Sequence, residues 1–222
     1  MSTIGRTRLP GAFDRIARLT ADVGVLEDQR EVLWNLRHRG AVGTRTPFVQ
    51  AVLPRHGVGA ELGVFRGRFS PVLFEHAAPL RLHLVDPWYL LTPTWSWGAG
   101  DRSTVNAVRR VLKRWKREIE EGRVVVHIGD DRDVLRSFDD GYLDWAYIDS
   151  SHAYDHTMEE LQILDAKVRS GGVIAGDDWH PDPSHRHHGV HRAVVQFAAE
   201  RRYEVIYAGD RDQQWAIRRS AG

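Results

Sequence analysis

The sequence predicts an α/β fold: a mostly parallel sheet with helices on both faces and an antiparallel edge. Three observations predict it. From residue 57 onward, short apolar runs alternate with segments of helical periodicity. The first of these runs, GVGAELGVF, closes on glycine, as a buried strand does on entering a loop. The last stretch, YEVIYAGDRDQQWAIRR, reads as two strands joined by a turn, which supplies the antiparallel edge.

The elements follow in order. Residues 1–50 read as an N-terminal helical cap, because FDRIARLTADVGVLEDQREVLWNLRHRG carries Leu26, Val32, Leu33 and Leu36 at helical spacing. Such a cap either covers the sheet or serves as a lid or dimer arm. Residues 51–222 form the main domain. GVGAELGVF is its first strand and RGRFSPVLFEHAA a helix. RLHLVDPW is the second strand, and VNAVRRVLKRWKREIEEG a helix closed by Gly122. VVVHIGD and LDWAYIDSS are the third and fourth strands. In HAYDHTMEELQILDAKVRSGG, Tyr154, Met158, Leu161, Leu164 and Val168 recur at three- and four-residue steps, and Gly171-Gly172 stop the helix. VIAGDDW is the fifth strand, GVHRAVVQFAAERR the last helix.

Composition narrows the function. The chain has 222 residues, 42% hydrophobic and 27% charged, with a net charge of +1, which fits one globular domain and excludes global disorder. Balanced charge argues against nucleic-acid binding. No apolar run reaches the ~20 residues that span a bilayer, and MSTIGRTRLPGAF has no apolar signal core, so a cytoplasmic location without membrane attachment is expected. The absence of cysteine removes thiolate metal sites and cysteine nucleophiles.

In sheets of this kind ligands sit at the carboxyl ends of the strands. The first strand ends Glu61-Leu62-Gly63-Val64-Phe65-Arg66-Gly67. Glycines 63 and 67 allow a tight turn, but Phe65 stands where a dinucleotide loop needs its second glycine, so a ligand without pyrophosphate fits better. The second strand ends at Asp86, placed either to accept from ribose hydroxyls or to cap the turn before Pro87. Glu61 and Asp86 together favour a nucleoside over a nucleoside phosphate. The third strand ends Gly129-Asp130-Asp131, the fourth Asp149-Ser150-Ser151-His152, the fifth Asp177-Asp178-Trp179. Asp149, Asp177 and Asp178 come from two strands expected to be neighbours. Carboxylates so clustered call for a cation, and oxygen ligands point to Mg²⁺, Mn²⁺ or Ca²⁺. His152, near the following helix start, is a candidate general base.

Two loops stand out. Residues 180–191 hold five of the 12 histidines with Pro181, Pro183, Ser184 and Gly189. They read first as a polar loop, with a zinc site or acceptor binding as the sharper alternatives. Trp88, Tyr89, Trp95 and Trp97 lie in the loop to Ser103, placed either to stack on sugar or aromatic faces or to pack beneath it.

ELGVFRG, LVDPW, HIGD, YIDSSHAY and GGVIAGDDW, in this order over roughly residues 55–218, resemble class I S-adenosylmethionine-dependent methyltransferases. They resemble most the metal-dependent O-methyltransferase branch that includes macrocin-type and other sugar O-methyltransferases. The resemblance implies a Rossmann-like seven-stranded sheet, S-adenosylmethionine as cofactor, and Mg²⁺ or Mn²⁺. It implies that Glu61, Gly63, Phe65, Gly67 and Ser70 hold the methionine part and that Asp86 holds the ribose. Gly129 with Asp130 or Asp131 would lie near the adenine edge. Asp149 would adjoin the cofactor and, with Asp177 and Asp178, bind the metal; His152 as the base and Asp149 would be the catalytic residues. The acceptor implied is a sugar hydroxyl on a small molecule or oligosaccharide, with a catechol or small phenol as the alternative, and a homodimer is expected. A nicotinamide-dependent reductase shares the α/β pattern but needs GxGxxG and Tyr-x-x-x-Lys, both missing. A non-catalytic binding domain predicts loss of Glu61 or the metal acids, all present.

Overall fold

The computed structural model describes residues 45–89 and 103–219. The helical cap, apart from its last residues, lies outside the described residues, as do Trp95 and Trp97. The compact unit that contains the described residues is Gly40–Gly222.

The chain runs α1 (Thr46–Val52), β1 (Val58–Leu62), α2 (Ser70–His76), β2 (Arg81–Asp86), α3 (Ser103–Arg114), α4 (Lys116–Glu120) and β3 (Val124–Ile128). It continues α5 (Asp131–Arg136), β4 (Leu143–Ile148), α6 (Tyr154–Lys167), β5 (Val168–Gly176), α7 (His188–Arg201), β6 (Tyr203–Ala208) and β7 (Trp215–Arg219). The seven strands form one sheet in the order β3-β2-β1-β4-β5-β7-β6. The first five are parallel; β7 is antiparallel to both β5 and β6. The parallel sheet with its antiparallel edge is the one the alternating pattern predicts, and its seven strands give the Rossmann-like architecture that the resemblance implies.

Alternation along each strand sorts side chains to two cores. In β4, Ala146 and Ile148 join Leu161, Leu164, Val194 and Phe197 on one face. Trp145 and Tyr147 join Phe48, Leu73, Trp88 and Val111 on the other. Both faces are buried, so the central strands read as continuous apolar runs. Gly59 has a packing reason: a Cβ there would lie 2.1 Å from the Trp145 ring.

Three local departures from the sequence reading have physical causes. The helix read through residues 105–122 breaks at Trp115, which is 5% exposed and packs its ring 4.9 Å from that of Phe74. The helix read to Gly171-Gly172 ends at Lys167, because Val168 turns extended and pairs with Leu143. Between them α5 was not anticipated. Asp130, read as a ligand, is its N-cap and accepts from the Arg132 N–H at 3.1 Å.

Candidate active site

The carboxyl ends of β3, β2, β1, β4 and β5 lie side by side in that order, so their acids share one edge. The parallel ladder extends past the strands: the Gly63 N–H donates to Val85 O at 2.9 Å, and the Asp149 N–H to Leu62 O at 2.7 Å. Gly63 sits at φ +86°, and a Cβ there would meet the Asp149 carbonyl oxygen at 2.0 Å. Only glycine gives this turn and this approach.

The loop from Gly63 to Gly67 is held from β2. The Phe65 N–H donates to Asp86 Oδ2 at 2.7 Å, and the Trp88 indole N–H to Phe65 O at 2.7 Å. Phe65 itself takes a left-handed φ of +46°, a conformation that costs a non-glycine residue on the order of 1–3 kcal/mol and that these two bonds help to hold. Trp88 is therefore a buried strut rather than an exposed stacking surface; its neighbour Tyr89 is 53% exposed.

Glu61 and Asp86 are 2% and 3% exposed. Glu61 Oε2 and Asp86 Oδ1 have no hydrogen-bond partner among the described residues. Burial pushes the Glu61 carboxyl up to about 8. Burial likewise pushes Asp86 up to about 7 against the hydrogen bond from Phe65, with the Asp131 charge adding to the rise. Ser70 is fully buried at the start of α2.

Past β3, Gly129 turns the chain, its N–H donating to Asp86 O at 3.2 Å. Asp130 and Asp131 then part. Asp130 is engaged by the Arg132 guanidinium at 2.8 and 2.9 Å, which lowers its pKa to about 2. Asp131 is buried, with His156 Nε2 3.0 Å from both of its oxygens. His156 also lies 3.8 Å from the buried Glu160, which accepts from the Ser150 hydroxyl at 2.5 Å.

The three acids of β4 and β5 divide between two kinds of partner. Arg45, at the entry to α1, lies 3.5 Å from Asp149 and ion-pairs with Asp177. Asp178, at a left-handed φ of +64°, meets histidines. His152 Nε2 lies 2.9 Å from its Oδ2, His187 Nδ1 2.7 Å from its Oδ1 and His180 Nε2 3.4 Å from Oδ1. His152 is also 3.9 Å from Asp149, and its Nδ1 lies 3.2 Å from His187 Nε2. Burial works against the Asp178 charge, yet bonding to His152 and His187 holds its carboxyl below the usual range. Burial works against a charged His152 too, but Asp149 and Asp178 raise it to about 9. Burial and the Asp149 charge push Asp177 up to about 7. Asp177 is fixed from beneath by Gln214, which donates to Oδ1 at 2.6 Å and accepts from the Tyr147 hydroxyl at 2.6 Å.

Residues 60–179 match the family model described as a methyltransferase domain, a span that holds every strand-end acid above. The chain belongs to this methyltransferase-domain family. Solved structures agree on the fold. The Burkholderia thailandensis 1,6-didemethyltoxoflavin-N1-methyltransferase, solved with 1,6-didemethyltoxoflavin and S-adenosylhomocysteine, is 16% identical. It covers 96% of this chain and 92% of its own at a TM-score of 0.54. A Clostridium thermocellum protein provisionally described as an rRNA methylase is 10% identical, with coverage of 81% and 97% and a TM-score of 0.54. Streptococcus mutans SMU.1697c, provisionally described as a methyltransferase and solved with S-adenosylhomocysteine, is 10% identical, with coverage of 79% and 94% and a TM-score of 0.51. No curated protein matched. No helix among the described residues is long and apolar enough to cross a membrane.

Sequence reasoning missed several residues that this methyltransferase domain brings to the site. Arg45 was assigned to the helical cap. Gln214 lies in the turn before the last strand. His156 and Glu160 carried no motif beyond helical spacing. Arg45 had a faint signal, since three neighbouring acids need a cation and arginine supplies one as a metal does.

Proposed function

We propose that the chain is an S-adenosylmethionine-dependent O-methyltransferase whose acceptor is a sugar hydroxyl. One observation carries the reading: Glu61 Oε2 and Asp86 Oδ1 are buried beside a glycine turn and lack donors among the described residues. An ammonium group and vicinal ribose hydroxyls are the donors that such a pair of carboxylates takes, and a phosphate would be repelled. Gly63, Phe65, Gly67 and Ser70 line the same turn, and Gly129 with Asp130 or Asp131 would lie near the adenine edge, each acid already engaged, Asp130 by Arg132 and Asp131 by His156 and the Arg132 N–H.

S-adenosylmethionine, when bound, supplies an electrophilic sulfonium methyl. The difficulty lies in the acceptor, because an alcohol hydroxyl is a weak nucleophile at neutral pH. His152 in its neutral form takes its proton, and Asp178 balances the imidazolium that forms; because Asp149 and Asp178 hold His152 up at about 9, turnover should rise with pH toward that value. Asp149, Asp177 and Asp178 suit a hard divalent cation such as Mg²⁺ or Mn²⁺ in donor type, which would lower the acceptor pKa. Arg45 already supplies positive charge to two of them, so such an ion would have to share or displace it. The histidine base favours a sugar hydroxyl, with its high pKa, over a catechol.

Calorimetric titration with S-adenosylhomocysteine tests the cofactor, with NADH as control. Micromolar binding of the former alone is the expected result; binding of NADH alone, or of neither, removes the reading. Methyl transfer to sugar acceptors, assayed with and without Mg²⁺ against catechols, then tests the acceptor class. Turnover confined to catechols would reject the sugar.

A further inference from the structure

The proposed methyl transfer leaves the histidine-rich segment between β5 and α7 without a task. Its three histidines and the two in the first turn of α7 behave in two ways. His188 turns its Nδ1 to the His180 carbonyl at 2.9 Å, and His191 packs its ring 4.4 Å from that of Trp179. His180, His185 and His187 instead converge, each offering a ring nitrogen within 4.8 Å of the others. His180 and His187 both also reach Asp178 Oδ1, at 3.4 and 2.7 Å.

We infer that His180, His185 and His187, with Asp178 Oδ1, form a binding site for a transition-metal ion of the zinc class, distinct in its imidazole donors from the carboxylate set of Asp149, Asp177 and Asp178, with which it shares Asp178. Zinc bonds of about 2.0–2.2 Å in a tetrahedron place donor atoms roughly 3.3–3.5 Å apart. The His180 contact to Asp178, 3.4 Å, already has that spacing and the His187 contact, 2.7 Å, is shorter, while the three imidazole nitrogens lie within 4.8 Å of one another and would draw together around an ion. Three imidazoles and one carboxylate are donors that suit zinc, cobalt or nickel and do not suit Mg²⁺. The chain supplies the second layer as well. The His187 N–H donates to His185 Nδ1 at 3.2 Å, which leaves His185 Nε2 as the ligand atom. His187 Nε2 lies against His152 Nδ1, which orients the ring whose Nδ1 faces Asp178. Asp178 is the shared residue: its Oδ2 faces His152 and its Oδ1 faces the loop. Its left-handed backbone is a strained conformation held at this junction. An ion there fastens residues 180–187 to the end of β5 and fixes Asp178 against the candidate base. This site stands independently of the identity of the methyl acceptor.

Co²⁺ titration of the full chain, after stripping with chelator and dialysis, tests the inference. Four-coordinate Co²⁺ with imidazole ligands absorbs visible light strongly, whereas six-coordinate Co²⁺ on carboxylates and water absorbs weakly. The expected result is one equivalent with the strong spectrum, displaced by Zn²⁺ and not by excess Mg²⁺. Replacing His180, His185 and His187 together by alanine should weaken Co²⁺ binding by about 100-fold or more, beyond the 10–100-fold typical of losing an outer-layer partner. The His188→Ala/His191→Ala pair should leave it unchanged, and Asp149→Asn should keep the spectrum. Zn²⁺ should also raise the melting temperature of the unaltered chain, a measure that needs no variant to fold. Absence of Co²⁺ binding, a weak spectrum displaced by Mg²⁺, or full binding by the triple variant overturns the site. S-adenosylhomocysteine titration of the same samples separates this failure from failure of the methyltransferase reading.

Discussion

Glu61 and Asp86 each keep one carboxylate oxygen from water without a donor among the described residues, a state that costs stability in the free protein. Under the proposed function, the cofactor's donors offset that cost. Glu61→Gln and Asp86→Asn should each weaken S-adenosylhomocysteine binding by about 10–100-fold, since a hydrogen bond to a charged group contributes roughly 1.5–3 kcal/mol. Thermal stability should hold or rise, because a buried amide is easier to desolvate than a carboxylate. Calorimetry and melting on the same samples check both halves; a fall in stability with unchanged affinity would make these acids structural. Gly63 marks the opposite case. Gly63→Ala drives a Cβ to 2.0 Å from the Asp149 carbonyl at a φ of +86°, so the backbone at two strand ends must part. A loss of about 3 kcal/mol or more in denaturant unfolding is expected. The positions of all three, Glu61, Asp86 and Gly63, were legible in the sequence, because each stands at or just past a strand end. Arg45 and Gln214 were not, since their roles depend on which side chains lie across a fold that no spacing encodes.

Among elements, the β2–β3 pair carries a titratable group remote from the site. His83 on β2 lies 2.8 Å from the His127 ring and 3.0 Å from the Tyr142 hydroxyl, and burial, with the His127 charge, lowers its pKa to about 4. A histidine whose folded pKa is depressed stabilises the native state above its unfolded value of about 6.5. That contribution is lost as pH falls from there toward 4. Urea unfolding should therefore show stability declining over this window by up to roughly 2–3 kcal/mol, and His83→Phe should flatten that part of the profile. The strands themselves were legible because burial on both faces writes them as apolar runs. The end of α6 and the existence of α5 were not. Lys167–Arg169 suits a helix until Val168 pairs with Leu143, and Asp130-Asp131 looked like ligands when one of them caps a helix.

For the whole molecule, the strand order reverses direction between β1 and β4. Ligands bind at such a switch point, and it separates two sets of strand-end residues. β1, β2 and β3 present Glu61, Asp86 and Asp131; β4 and β5 present Asp149, His152, Asp177 and Asp178. If the proposed function holds, the two halves should separate in experiment. Changes in the first half act on cofactor affinity, and changes in the second act on turnover. His152→Ala should cut methyl transfer by about 100-fold or more, the scale of a lost general base, while leaving S-adenosylhomocysteine affinity within a factor of about three. Asp178→Asn should do the same through His152, and the pair should lose no more than either alone, because residues that act as a unit are not additive. Full additivity would place Asp178 in a separate role, with its loop histidines rather than with the base. Near-normal turnover in His152→Ala would give the proton to another group and leave the switch point with a cofactor half alone.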